Sequence, residues 1–421
     1  MLRSSHILFG LVSSPAARRR LRLAACAALA GLLSTQAQAQ DSTLTRLVHK
    51  YQYDLVQNGN QFSGPGWEKL QQDIQQSTLV LIGEGHGMAQ VPQFTAAVAA
   101  VLKPKVYVAE IDKYQARYLS RMADQPGLPT AFMRQHPNGL SFYSWAEEFE
   151  LARTLRAQRA AIVGIDQVSL TATGTFFGTL ADQVKNRRTR AYLLGRAAAY
   201  QAQDRAIMKG DTGQYSLFVQ RPSALDSLRL LTRRESPVAR QMVEDFAASA
   251  EIYRLFSVSG VRSHAMRVGL MKRNLLTELQ PYQPTGQPLP PMLFKFGAVH
   301  AGRGISVLGD YYDVGNMALN LADVHDQKSL HIFIIGKQGT QVGGFDPDDF
   351  AKNVAPYSAD PQSPFVAATP AGAAWQVFDL RPLRRALLRD KLTVSNAELE
   401  ATILGYDYVV IIPETTASRN F

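Results

Sequence analysis

Short apolar runs dense in Val, Ile and Phe recur along the chain, each closed by glycine or by polar and charged residues. They are Thr78 to Ile82, Val106 to Ile111, Ala161 to Ile165, Met292 to Phe296, Leu330 to Ile335, Gln376 to Leu380 and Tyr408 to Ile412. Strands that are apolar at every position are buried on both faces, so these runs predict a mainly parallel central sheet with helices on either side. The helix-length segments Val91 to Leu102 and Tyr143 to Gln158 lie between the first runs, as βαβ units require. The predicted fold class is therefore α/β. From Thr171 to Leu279 the pattern becomes helical, with Arg, Gln and Ala among Leu, Tyr and Phe, and predicts a helical insertion or cap over 171–279. Pro284, Pro288, Pro290, Pro291 and Gly286 form a stiff connector back to the strand at Met292. The stretch Gly343 to Gly372, rich in Asp, Pro, Ser and Ala, reads as an irregular surface excursion. No internal repeat is visible.

The N-terminal region has a different character. Arg18, Arg19, Arg20 and Arg22 precede the small apolar run Leu23 to Leu33, and Ala37-Gln38-Ala39 follows, which together predict a secretory signal peptide over 1–39, cut before Gln40. Leu23-Ala-Ala-Cys26 has the outline of a lipoprotein box but follows the arginines with no apolar run before it. The arginine run itself faintly resembles a twin-arginine signal. The expected product is a single α/β domain, 40–421, located in the periplasm or secreted. Loss of Arg3, Arg18, Arg19, Arg20 and Arg22 lowers the net charge from +10 to +5. The remaining basic residues are interspersed with acids, which argues against a nucleic-acid partner and leaves a small molecule as the expected one. Cys26 is the only cysteine and falls in the removed segment, so neither a disulfide nor a thiol nucleophile is expected. No later apolar run approaches the roughly 20 residues of a membrane-spanning helix.

In an open parallel sheet, ligands bind beyond the carboxyl ends of the strands, where the loops converge on a cleft. Polar residues just past strand ends are therefore the candidates: Glu84 and His86, Glu110 and Asp112, Asp166, and His300. Glu84 and His86 flank Gly85 in Gly83-Glu-Gly-His-Gly87, where glycines let the backbone turn both side chains into one cleft. A carboxylate beside an imidazole makes either a general base or two ligands for a metal. Glu110 ends an apolar strand, where a carboxylate is costly unless paired or at a rim; Arg117 would be a structural partner. Asp166 has the same placement and could instead cap a helix. Phe294-Lys-Phe-Gly-Ala-Val-His300-Ala-Gly-Arg-Gly304 repeats the plan of the first loop, and Arg303 in it is suited to an anionic group, with Lys295 read as a strand residue whose ammonium reaches the surface. His264, Arg267, Met271 and Asn274 share one helix face, either a cleft wall or a solvated basic face with Met271 in the core. His49, His136, His325 and His331 have no comparable setting.

Leu81-Ile-Gly-Glu-Gly-His-Gly87, Val108-Ala-Glu110, Arg267-Val-Gly-Leu-Met-Lys-Arg-Asn274 and Phe296-Gly-Ala-Val-His300 together resemble the erythromycin esterase-like group, within the superfamily that includes ChaN haem-binding proteins and Tiki-type proteases. The resemblance covers most of residues 75–305. It implies that Glu84, His86, Glu110 and His300 are catalytic and that Arg267 with Asn274 belongs to the same site; His264, Arg303 and Asp166 join them as expected substrate-binding residues on the strand-end and helix-face reading. It also implies that the first-loop histidine activates a water to attack an ester carbonyl with no covalent Ser or Cys step. Esterases of the group place two residues between the Glu and the His of the first motif. Here only Gly85 intervenes, a spacing closer to the ChaN and Tiki side.

Two functional expectations follow. One is an exported hydrolase of an ester or related bond, needing no cofactor or using a divalent metal held by Glu84, His86, Glu110 and His300. The other is a haem- or metal-binding protein without catalysis, with Tyr107, Tyr114, Tyr143 or His86 as axial ligand.

Overall fold

The computed structural model describes residues 43–284, 286–372 and 374–421; the segment expected to be a signal peptide lies outside them. The chain folds as α/β around a ten-stranded sheet of order β2-β1-β9-β10-β7-β3-β6-β4-β5, with β8 pairing β7. The strands are β1 (Gln52–Asn58), β2 (Gln61–Ser63), β3 (Leu79–Glu84), β4 (Val106–Ala109), β5 (Ala161–Gly164), β6 (Met292–Gly297), β7 (Ser329–Val342), β8 (Val354–Ser358), β9 (Trp375–Asp379) and β10 (Tyr408–Thr415). The run from β10 through β7, β3, β6 and β4 to β5 is parallel throughout, while β9, β1, β2 and β8 pair antiparallel at the margins.

Every residue of β3, β4 and β6 is buried. Alternation sorts their side chains onto two cores. Val80, Ile82, Tyr107 and Ala109 face one side, under the helices Gln90–Leu102, Lys113–Ala123 and Ala146–Ala157. Leu79, Leu81, Val106 and Val108 face the other, under Gly260–Leu279 and Val314–Val324. The region expected to be a cap contains the helices Thr173–Asp182, Arg187–Met208, Pro222–Thr232 and Pro237–Phe256, with a core of its own built on Phe176, Phe177 and Phe246. Phe176 stacks on Phe246 with centroids 5.6 Å apart. Among the described residues no helix is long and apolar enough to cross a membrane.

Three strands depart from expectation. β1 and β2 were not anticipated, because edge strands half in water intersperse polar residues with apolar ones. The stretch Gly343 to Gly372, expected to be irregular, supplies β8, which zips onto the far end of a 14-residue β7. The extension of β7 carries Val342 past the sheet to Gly87, whose φ of +83° and close approach to Val342 suit glycine alone.

Candidate active site

The sheet order lays β3, β6, β4 and β5 side by side, and the register pairs Glu84 with Gly297 and Ala109 with both Lys295 and Gly164. Strands distant in sequence therefore end in one row, bringing Glu84, Gly297, Glu110 and Asp166 to the same edge. Glu84 and Glu110, with side chains almost wholly buried, each receive more than one positive or donor group.

His86 Nδ1 donates to Glu84 Oε1 at 2.9 Å, and His86 Nε2 lies 3.6 Å from Glu110 Oε2. An ionised carboxylate only accepts, so the Nδ1 hydrogen is assigned to the Glu84 side and Nε2 is left facing Glu110. Phe142 stacks on the imidazole, centroids 4.3 Å apart and planes 18° from parallel. Gly297 makes room for this ring: a Cβ there would meet His86 Nε2 at 3.0 Å. Its amide donates to Glu110 Oε2 at 2.6 Å. Burial works against charging His86, but the hydrogen bond to Glu84 and the charges of Glu110 and Glu84 outweigh it, and its pKa is raised above the ordinary imidazole value.

His300, in the short helix Ala298–Ala301, repeats the arrangement. Its Nδ1 donates to Asp313 Oδ2 at 2.9 Å, and its Nε2 lies 3.7 Å from Glu110 Oε1. Asp313 also caps the helix Val314–Val324, accepting from the Val314 amide at 2.7 Å, so one side chain fixes both the helix start and the imidazole. Here too burial opposes the charge and is outweighed, by the Asp313 hydrogen bond and the Glu110 and Asp313 charges, and the pKa is raised. The two imidazoles thus approach the two oxygens of one carboxylate. Burial alone would push Glu110 up, yet His86, Arg267, His300 and the Gly297 amide hold it down to about 2.

Arg267 Nε and Nη2 reach Asp166 at 2.9 and 2.5 Å, Nη2 reaches Glu110 Oε1 at 2.8 Å, and Nη1 lies 3.3 Å from His300 Nε2. The planar fork joins the ends of β4, β5 and β6 in a way a lysine could not. Asp166, which also accepts from the Gln167 amide, is therefore an arginine clamp. The helix carrying Arg267 satisfies both expectations for its face: Met271 is in the core, and Asn274 donates to the Ile165 carbonyl, locking the helix to β5. Asn274 thus positions Arg267, with its amide committed to the backbone. His264 lines the adjoining cavity, its ring centroid 6.4 Å from that of His300.

Arg303 is not brought to this cleft. Its guanidinium is bonded to Asp407 and to the Ser329 carbonyl, at the amino ends of β10 and β7. The glycine-rich loop around it turns down the back of the sheet, because Gly405 and Tyr406 receive it there. Asp112 is a helix cap, accepting from the amides of Tyr114 and Gln115, and Arg117 pairs with Glu278 and not with Glu110. Lys295 also departs from expectation. Its ammonium does not reach the surface but is buried between Glu84 Oε1 at 2.5 Å and Glu148 Oε1 at 2.6 Å. Burial pushes Glu148 up to about 7 despite the lysine beside it. Glu148, Asp313 and Phe142 are the residues that sequence reasoning missed, and Lys295 is the one it misread. Only the lysine within an otherwise apolar strand marked any of them.

The residues do not fit a cation. Among the described residues no group of three or more His, Cys, Asp or Glu is arranged to hold a metal ion. Glu84 Oε1 and Glu110 Oε1 are already met by Lys295 and Arg267, while Glu84 Oε2 is buried with no hydrogen-bond partner among the described residues. The three tyrosines considered as haem ligands are committed as well: Tyr143 donates to Tyr107 within the core, and Tyr114 to Asp245.

Beside the row of charges lies a cavity of about 390 Å³. Glu110, Asp166 and Arg267 form its polar side, and the cap and its flanking segments contribute Tyr215, Phe218, Tyr253 and Phe256.

The sequence matches no protein-family model and no curated protein. The fold, however, matches solved structures. A Bacillus cereus protein aligns at a TM-score of 0.55 and 14% identity, over 90% of this chain and 99% of that one. A succinoglycan biosynthesis protein aligns at 0.55 and 12%, over 90% and 98%. Haem-bound ChaN of Campylobacter jejuni is remote, at 0.30. A variant of the erythromycin esterase EreC in its open conformation aligns at 0.51 and 12%, over 84% of this chain and 94% of that one, and the chain therefore has an erythromycin esterase-like fold.

Proposed function

We propose that the protein is a hydrolase that cleaves an ester or related bond with a water activated by His86. The observation that carries this reading is the Glu84–His86 pair, with Nδ1 engaged and Nε2 directed at Glu110, a carboxylate that itself lines a cavity large enough for a small ligand. Neutral His86 takes a proton from water at Nε2, and Glu84, kept ionised by Lys295, stabilises the imidazolium that forms. Glu110 holds the same water. Hydroxide adds to the carbonyl carbon, and the negative charge that develops on the carbonyl oxygen is met by Arg267 and His300. The imidazolium then returns its proton to the leaving oxygen as the carbon–oxygen bond breaks. General-base help is worth roughly 10²–10⁴ in rate, and oxyanion donors about 10²–10³ each.

His86→Asn should lower turnover of a responsive ester by at least about 10²-fold, with an unchanged circular-dichroism melt. Retention of the wild-type rate by the folded variant would remove His86 from the chemistry. Because the base must be neutral, the rate should rise with pH through the raised pKa of His86, above 6.5. The basic and apolar residues at the N-terminus support export as the setting for this activity. Fractionation of cells expressing the full chain tests it, and recovery only in the cytoplasm would count against it.

A further inference from the structure

We infer that the substrate is an ester of an uncharged, apolar acyl group, with the acyl chain running from the charged row through the cavity and out along an apolar rim. This rests on the hydrolase reading above.

The charged groups that line the cavity are spoken for. Glu110 and Asp166 are anionic, and the guanidinium of Arg267 is committed to those two carboxylates and to His300, with one Nη1 hydrogen left for the reacting carbonyl oxygen. Among the described residues no other lysine or arginine lines the cavity, so a carboxylate or phosphate in the acyl group would be desolvated with no second cation to receive it. Neutral polar groups of Ser141, Gln167, Thr171 and His264 also line it. Most of the remaining wall is apolar, with Phe142, Leu170, Phe218, Ile252, Phe256 and Phe345 around it. At about 390 Å³ the space is at the low end for ligand pockets, which run roughly 300–1,000 Å³, and it suits a compact acyl group.

The apolar surface continues beyond the cavity. Phe256 and Phe345, which line it, are 57% and 42% exposed, and Val258 and Val261, just beyond Phe256 in the chain, are 66% and 52% exposed. Val261 packs against the segment holding Gly309, where a Cβ would meet it at 2.8 Å, and that segment adds exposed Ile305, Val307 and Tyr312. Single exposed apolar residues are unremarkable, but a contiguous strip opening from a cavity marks a binding surface.

The test is a chain-length series of p-nitrophenyl esters, acetate, butyrate and octanoate, with the succinate half-ester set against the pentanoate. kcat/KM should climb by about fourfold per methylene until the cavity fills. The succinate half-ester should be slower than the pentanoate by about tenfold or more. Phe256→Asp should flatten the series. Methyl ketones, which cannot be hydrolysed, probe the same cavity without turnover: by calorimetry, nonanone should bind more tightly than butanone. A preference for acetate, equal rates for the charged and uncharged partners, or equal ketone affinities would overturn the inference. If no ester is cleaved at all, the hydrolase reading fails, and the ketones still decide the apolar site on their own.

Discussion

The two ends of the sheet hold the same kinds of residue in opposite states. At the carboxyl end, Arg267 joins Glu110 and Asp166, and His86 and His300 each turn both nitrogens toward carboxylates; both imidazoles are raised in pKa. At the amino end, Arg303 and Arg384 converge on Asp407, and His331 sits wholly buried beside them. Its Nδ1 donates to the Ala301 carbonyl at 2.7 Å, its Nε2 lies 3.1 Å from the Ser329 hydroxyl, and no carboxylate touches the ring. Burial first, and then the Arg303 charge, push His331 down to about 3. Residue type does not separate a reactive cluster from a structural one. What separates them is which charge faces the imidazole and whether an open cavity adjoins it.

Replacing one buried charge at each end tests the contrast most severely. Lys295→Met leaves Glu84 and Glu148 buried without their cation and should cost about 3–5 kcal/mol at neutral pH. It should also move the acid limb of the rate profile to higher pH, since Lys295 acts to lower the pKa of His86. Asp407→Asn should cost a similar amount, about 3–5 kcal/mol, by leaving two arginines uncompensated, but with kcat and its pH profile unaltered. Urea melts together with pH–rate curves read both. If the Asp407 variant shifts the pH profile, the two ends are not separate in function.

Asp313→Asn sharpens the comparison more gently. His300 loses the carboxylate that raises it, so its NMR titration should fall toward or below 6.5 while the rate drops by up to about 10²-fold. An unchanged titration would mean that Asp313 serves only as a helix cap. The smallest effect concerns stability against pH. His331 is depressed on folding, so the stability linked to it is present above its unfolded pKa and is lost as pH falls from 6.5 toward 3. His86 and His300 are raised, and theirs is present below 6.5 and lost as pH rises through their folded values. His331→Asn should remove a fall in Tm of a few degrees on acidification, and an identical acid limb in the variant would contradict the low value at His331.

The readable part of the fold was its centre. β3, β4, β5 and β6 announce themselves because a parallel strand covered on both faces admits almost nothing but apolar residues. Of the margins only the wholly buried β9 was readable: β1 as Gln-Tyr-Asp-Leu-Val-Gln-Asn and β8 as Val-Ala-Pro-Tyr-Ser mix exposed and half-buried positions and look like loops. Strand-end logic also picked out Glu84, His86, Glu110, Asp166 and His300, and the structure brings them together. The same logic misjudged Arg303, because a glycine-rich turn does not reveal which way it leaves the sheet. Lys295 was misjudged for a related reason: its two partners come from β3 and from the helix Ala146–Ala157, far away in sequence.

By itself the sequence determined the class of fold and the polar residues at the strand ends, since both follow from local rules of burial and alternation. Only the tertiary structure decided their pairing. The strand order sets Glu110 between two imidazoles, buries Lys295 under Glu84 and sends Arg303 to the opposite edge. A charge in a buried site is governed by the neighbours that long-range packing supplies, and no local pattern records them.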